Sequence, residues 1–111
     1  MNITEGEIVI ELDGSPVTLS PTPAAIISIS RQCEGLSNAV RRLGNLEVEA
    51  FSIVIGAGMK ANDSVRKKLP EQIYRSSMLD LMGPCIRFVN ILANGGKPLD
   101  DGDKEGKDEG N

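Results

Sequence analysis

Histidine and tryptophan are absent from this chain of 111 residues, and its aromatic side chains are Phe51, Tyr74 and Phe88. Without histidine, the most common general base of enzymes is missing, and so is a frequent zinc ligand. The two cysteines, Cys33 and Cys85, are far apart, whereas zinc and redox motifs use closely spaced pairs. We therefore predict no catalytic residues, no metal and no cofactor, and we expect both cysteines to be small buried hydrophobic residues.

Long apolar runs are also missing. No stretch approaches the roughly 18 apolar residues that a membrane-spanning helix needs, and residues 1–5 lack the basic start and apolar stretch of a secretory signal. We therefore expect a soluble cytoplasmic protein without a membrane partner. Its length suits one domain with one core, and that core must be mainly aliphatic because aromatic residues are scarce.

The negative charge is concentrated at one end of the chain. Residues 95–111 contain three lysines and six acidic residues, so most of the net charge of −4 lies there. After Leu99 there is nothing apolar to bury, and we predict that residues 97–111 form a disordered acidic tail. Nucleic-acid binding needs clustered positive charge, and the basic clusters at 41–42 and 66–68 are more simply interpreted as solvated helix faces. A helical DNA-binding regulator is the alternative that uses them.

The first elements predicted by the pattern are two strands. Residues 7–12 alternate between apolar and polar, which places Ile8, Ile10 and Leu12 on one face. Asp13-Gly14 is a strong hairpin signal, and residues 17–19 supply a return strand. Because Pro16 has no N–H to donate, that strand is predicted to be an edge.

Two helices are predicted next. Residues 23–34 have helical periodicity, with Thr22 as N-cap and Gly35 as terminator. Residues 36–43 form a second amphipathic helix, which Gly44 closes. A third helix, residues 46–60 with Asn45 as its cap, is predicted to be the centre of the fold. Its inward stripe consists of Phe51, Val54, Ile55, Gly58 and Met59.

A further helix is predicted to begin near Leu69-Pro70, because proline cannot continue a helix from before it. We expect Gly83-Pro84 to break or kink this helix and Gly95-Gly96 to end the last one. The residues predicted to face inward are Ile73, Tyr74, Met78, Leu81 and Met82, then Cys85, Phe88, Val89 and Leu92. The predicted fold is thus mainly α with a short N-terminal β-hairpin, a single-domain bundle of about four to five helices over residues 1–96.

Residues 51–61 also match the dinucleotide fingerprint, with Gly56, Gly58 and Ala61 at its small-residue positions. A nucleotide-binding enzyme would need a second parallel strand and an uninterrupted helix, and neither is indicated here. We therefore predict that the segment is helical and that its glycines permit close helix packing. The nucleotide-binding enzyme is the least favoured alternative.

A hairpin at residues 6–14 leads through Leu19-Ser20-Pro21-Thr22 into a helix that closes at Glu34-Gly35-Leu36. This order resembles the gene-transfer-agent type of phage tail protein, which is described as a tail tube protein or a tail assembly chaperone. The similarity continues through 51–59, 79–84 and 88–92.

The resemblance implies a protein encoded among the phage or prophage tail genes of a bacterium. Members of this family are thought to coat the helical tape-measure protein until tail tube subunits polymerise around it. The implied partners are tape-measure or tail tube proteins and further copies of the chain, with no nucleic acid or small-molecule substrate. The implied location is the cytoplasm or the virion. Such a protein needs no catalysis, only an apolar groove for an amphipathic helix.

Four aliphatic residues lie off the predicted inward stripes, namely Val9, Ile27, Ile53 and Ile91. We predict that some of them form an apolar surface for a partner. The alternative is that a larger core buries them. The unpaired edge of the hairpin is a second candidate for partner binding.

Overall fold

The computed structural model describes residues 5–99 and confirms the predicted fold class. Within this part of the chain, a two-stranded antiparallel hairpin precedes five helices in one small domain. The elements are β1 (Ile8–Leu12), β2 (Ser15–Leu19), α1 (Pro23–Cys33), α2 (Leu36–Gly44), α3 (Val48–Gly58), α4 (Asp63–Arg75) and α5 (Met78–Ala93).

The hairpin turns at Asp13 and Gly14, both of which have positive φ angles, as a type I′ turn requires. Residues flanking a two-residue turn form a hydrogen-bonded pair, and such pairs recur at every second position. Pro16 lies opposite Glu11, at a position between these pairs. Its missing N–H therefore interrupts no bond of the hairpin, and a strand that contains proline becomes possible here.

The start of α1 is as predicted, because the hydroxyl of Thr22 accepts a hydrogen bond from the N–H of Ala25 at 3.0 Å. Glu34 caps the C-terminus of α1 in a left-handed conformation, so the helix ends one residue earlier than predicted. The start of α3 was predicted wrongly. Asn45 is the C-cap of α2, where its N–H donates to the carbonyl of Arg41, and α3 begins only at Val48 after Leu46 has taken a positive φ.

The predicted start and break of the last helices were also wrong. The side chain of Asn62 caps α4 by accepting from the N–H of Val65 at 2.9 Å, and Pro70 lies inside that helix. Gly83-Pro84 likewise lies within α5. Pro70 is exposed and Pro84 half-buried, so water can reach the carbonyls that lose their helical donor.

The break between α4 and α5 falls at Ser76 and Ser77. Ser76 has extended backbone angles, and the hydroxyl of Ser77 accepts from the N–H of Asp80 as the N-cap of α5. The sequence contains a signal for this boundary, since serine is a favoured N-cap, but Gly83-Pro84 is the stronger local helix breaker.

Helix α3 is the centre of the core, as predicted. It contacts the other four helices and β2, and every residue from Ala50 to Gly58 except Ser52 is buried. The hairpin is attached to this helix, because the N–H of Ser20 donates to the carbonyl of Gly58 at 2.9 Å. Cys33 and Cys85 are free thiols within the same core, as predicted.

No helix within residues 5–99 is long and apolar enough to cross a membrane. In the predicted acidic tail, residues 97–99 are exposed and have no regular structure. The rest of that tail, residues 100–111, lies outside the described part of the chain.

Candidate functional site

The four residues proposed from the sequence as partner contacts do not share one surface. Val9 on β1 is 43% exposed and Ile27 on α1 is 56% exposed, which matches the expectation of exposure. The same expectation is wrong for Ile53 and Ile91, which are buried. Whether Val9 or Ile27 binds a partner stays a prediction.

The burial of Ile53 and Ile91 follows from the packing of their helices. Ile53 is on α3, which neighbours surround on all sides, so this helix has no solvent-facing stripe for it to occupy. Ile91 is on the side of α5 that β1 and the turn after the helix cover, and its carbonyl accepts from the N–H of Gly96 at 2.8 Å. Residues off the main stripe are thus buried where neighbouring elements cover the side of the helix on which they lie.

Two exposed hydrophobic residues were not expected from the sequence. Tyr74 was predicted to face inward, but it is 81% exposed, because Leu69 and Ile73 define the buried side of α4. Leu79, in the first turn of α5, is 69% exposed. Tyr74 lies directly beside buried Ile73, so the pattern does not distinguish it from a core residue, whereas Leu79 lies off the predicted inward stripe.

The outward surface of α1 is the first candidate site. Ile27, half-buried Ile26, Ser30 and Arg31 line a shallow depression of about 360 Å³. Ile26 also lines a second depression, of about 260 Å³, which lies between the start of α1 and the C-terminal end of α5. The two depressions make a continuous and mostly apolar strip across α1.

A groove beside β1 is the second candidate site. Its volume is about 370 Å³, and it extends from Gly6 to Val9 along the strand, then to Arg87 and Ile91 of α5 and to Pro98 and Leu99. The second strand borders β1 on one side only. The groove therefore lies next to the backbone edge of the hairpin that has no strand partner within residues 5–99.

Arg42 was predicted to lie on a solvated face, but it is half-buried in an ion-pair cluster at the α2–α3 connection. Its Nε donates to Glu47 at 2.7 Å, and its Nη2 lies 3.6 Å from Glu49. The hydrogen bond to Glu47 raises the pKa of Arg42, and burial raises the pKa of the nearby Cys33 thiol. Two acidic residues, Glu47 and Glu49, thus lie within ion-pair distance of one half-buried arginine.

The second basic cluster, at residues 66–68, also combines a half-buried arginine with exposed side chains. Arg66 is half-buried and its Nε donates to the carbonyl of Ala61 at 3.0 Å, whereas Lys67 and Lys68 are exposed. Arg41 is exposed and its guanidinium donates to Asn38. Each cluster thus has one arginine, Arg42 or Arg66, whose guanidinium bonds to another part of the fold.

The segment that matches the dinucleotide fingerprint is helical, as predicted. Gly56 and Gly58 lie inside α3 and not at a turn between a strand and a helix. A Cβ at Gly58 would contact Leu19 and Phe88, which confirms that this glycine permits close packing. Residues 5–99 contain no group of three acidic or cysteine side chains that could hold a metal ion.

Cys85 should react with thiol reagents only when the protein unfolds. Burial raises the pKa of the Cys85 thiol to about 12, from 9.0. Since the thiolate is the reactive species, alkylation of a Cys33→Ala variant by iodoacetamide at pH 8 should follow the rate of opening. Stability should also fall as the pH rises above 9, because only the unfolded thiol ionises between 9 and 12.

The matched control adds Cys85→Ala and Ser37→Cys to the same variant, which moves the thiol to an exposed position on α2. This control should be alkylated within minutes under native conditions. Equal rates for the two thiols would contradict the burial of Cys85.

Comparisons of the chain with protein-family models, with curated proteins and with solved structures find no match.

Proposed function

We propose that this chain is a tail assembly protein of the phage or gene-transfer-agent type, which binds a tape-measure or tail tube protein and has no catalytic role. The observation that carries this proposal is the apolar strip across α1. There, Ile27 is 56% exposed beside half-buried Ile26, on a helix anchored to the core by its opposite side.

A row of exposed residues along α1 crosses the strip at Ile27 and has the spacing that suits a partner helix. Ala24, Ile27 and Arg31 are exposed at spacings of three and four residues, so they follow one another along one side of α1. An amphipathic helix docks its apolar anchors along such a row. The exposed guanidinium of Arg31 at the end of the row would favour an acidic residue on the partner.

The family resemblance supports the same proposal. The residues that carry it occupy the hairpin, the connection through Pro21 and Thr22, and the end of α1 at Glu34. These segments determine where α1 begins and ends, and therefore which of its residues point outward. A chain that coats a long tape-measure protein would bind it in several copies, so self-association on the target is part of the proposal.

Replacing Ile27 with glutamate is expected to weaken binding to the tape-measure protein at least tenfold, because a charge would be placed at the centre of the apolar contact. The experiment is co-expression of the chain with the long coiled-coil protein that the proposal expects to be encoded beside it, followed by co-purification and titration. Ile27 is exposed, so the fold should be little affected.

Leu79→Glu is the matched control, since it makes the same change at another exposed aliphatic residue. Leu79 and Leu92 are 13 residues apart on α5, so about 20 Å separates the control from the strip. Equal loss in both variants would count against the α1 strip. Retention of the chain on duplex DNA with a strong salt dependence would instead favour the DNA-binding regulator.

A further inference from the structure

The two edges of the hairpin differ in their capacity to accept another strand. On β2, Pro16 has no N–H, and the N–H of Ser20 is already bonded to the carbonyl of Gly58. On β1, the residues whose backbone groups point away from β2 are Val9 and Glu11. No other backbone or side chain within residues 5–99 bonds their N–H groups.

Among residues 5–99, the edge of β1 is covered near the turn and open towards the start of the strand. The N–H of Asp13, which also points outward, donates to the hydroxyl of Ser76 at 2.7 Å. Beyond Glu11 the groove of about 370 Å³ gives access to the strand from the side of α5. An added strand could therefore pair with Val9 and Glu11 and place its inward side chains in the groove near Ile91.

Charge argues against a second copy of β1 as the added strand. The side chains on this face of the strand are half-buried Glu7, whose carboxylate accepts from the hydroxyl of Ser20, and exposed Val9, Glu11 and, at the turn, Asp13. In an antiparallel pair centred on Val9, Glu7 would lie opposite Glu11 of the other copy. In a pair centred on Ile10, Glu7 would lie opposite Asp13, and in a pair centred on Glu11 that residue would face itself. Carboxylates would oppose each other in each of these three registers, which destabilises the pairing.

The C-terminal residues 100–111 are also a poor match. They contain six acidic residues, two lysines and no apolar residue, so they offer the edge neither opposite charge nor a side chain to bury. The complement of Glu11 and Val9 is an aliphatic residue with a basic residue two positions away.

We propose that the free edge of β1 binds an extended segment of a partner protein, in which an aliphatic residue has lysine or arginine two positions away on each side. The aliphatic residue lies against Val9 and one basic residue lies against Glu11. This inference concerns a different surface from the α1 strip and does not depend on the proposed function.

The test uses the full chain and a capped peptide probe of sequence Thr-Lys-Val-Val-Val-Lys-Thr. Its central valine and two lysines alternate along one face of the strand. Addition of the probe should shift the amide resonances of Val9 and Glu11 and protect them from hydrogen exchange. A matched probe with glutamate in place of both lysines should bind about tenfold more weakly. Absence of shifts at Val9 and Glu11 with millimolar probe would overturn the proposal.

Two proline variants distinguish the edges. Val9→Pro should weaken binding of the lysine probe at least tenfold, because it removes an outward N–H without removing a bond of the hairpin. Thr18→Pro makes the equivalent change on β2 and should leave the affinity within twofold. Equal losses in the two variants would contradict binding at β1.

Glu11→Lys keeps the test decisive even if Val9→Pro does not fold. Glu11 is exposed, so its replacement should preserve the fold while abolishing the preference for the lysine probe, because one probe residue then meets the introduced lysine while the other still faces Glu7. An unchanged preference for lysine would overturn the proposal. Self-association of the native chain that Val9→Pro abolishes would also overturn it, because the occupant would then be a second copy.

Discussion

Phe51→Ala is expected to lower the free energy of unfolding by about 3–5 kcal/mol, because it removes a fully buried ring from the centre of the core. Phe51 has no exposed surface and lies on α3, which contacts all the other helices and β2. A domain of this size has a total stability of about 5–15 kcal/mol, so this single change removes a large part of it. Urea denaturation monitored by far-ultraviolet circular dichroism measures the effect.

Tyr74→Ala is the matched control, because it removes an aromatic ring that is 81% exposed. Its effect should stay within about 0.5 kcal/mol of zero. The pattern of the sequence predicts that both rings face inward, whereas the structure buries only one. A loss above about 2 kcal/mol for Tyr74→Ala would show that Tyr74 packs against the fold after all.

The parts of the fold that the sequence predicts well are those in which short-range chemistry is decisive. Asp13-Gly14 can adopt the two positive φ angles of a tight hairpin turn. Thr22 followed by Pro23 is a strong start for a helix, and the hydroxyl of Thr22 makes the expected capping bond. In such cases neighbouring residues determine the local structure without help from the rest of the chain.

Boundaries that depend on tertiary packing are predicted poorly. Pro70 and the Gly83-Pro84 pair are local helix breakers, yet α4 and α5 continue through them. Helix α4 gains the cap from Asn62 and the burial of Leu69 and Ile73, and these gains offset the missing hydrogen bond of Pro70. A search for breakers alone therefore misplaces the boundary that Ser76 and Ser77 form.

The candidate site is predictable only in part, for a related reason. Periodicity identifies residues off the main stripe of a helix, but exposure depends on how many neighbours that helix has. Helix α1 has an open side, so Ile27 is exposed, while α3 has none, so Ile53 is buried. The difference between the two edges of the hairpin depends on Ser20 and Gly58, which are 38 positions apart.

Gly58→Ala is expected to destabilise the protein by about 1–3 kcal/mol through overpacking. The added Cβ would lie 2.9 Å from the Cβ of Leu19 and 3.1 Å from Cε2 of Phe88. Both neighbours are fully buried, and the carbonyl of Gly58 holds the N–H of Ser20, so the hairpin cannot move away without losing that bond. The glycine is thus required where β2, α3 and α5 meet.

Gly83→Ala is the matched control in this experiment, because Gly83 also lies inside a helix but a Cβ there would meet nothing within 4 Å. This change should stabilise the protein by about 0.5–1 kcal/mol, since alanine loses less backbone entropy than glycine when the helix forms. Urea denaturation without any ligand measures both variants. Opposite signs are the expected result because packing at Gly58 outweighs the helix propensity that governs Gly83. A stabilised Gly58→Ala variant would contradict the close approach of the hairpin to α3.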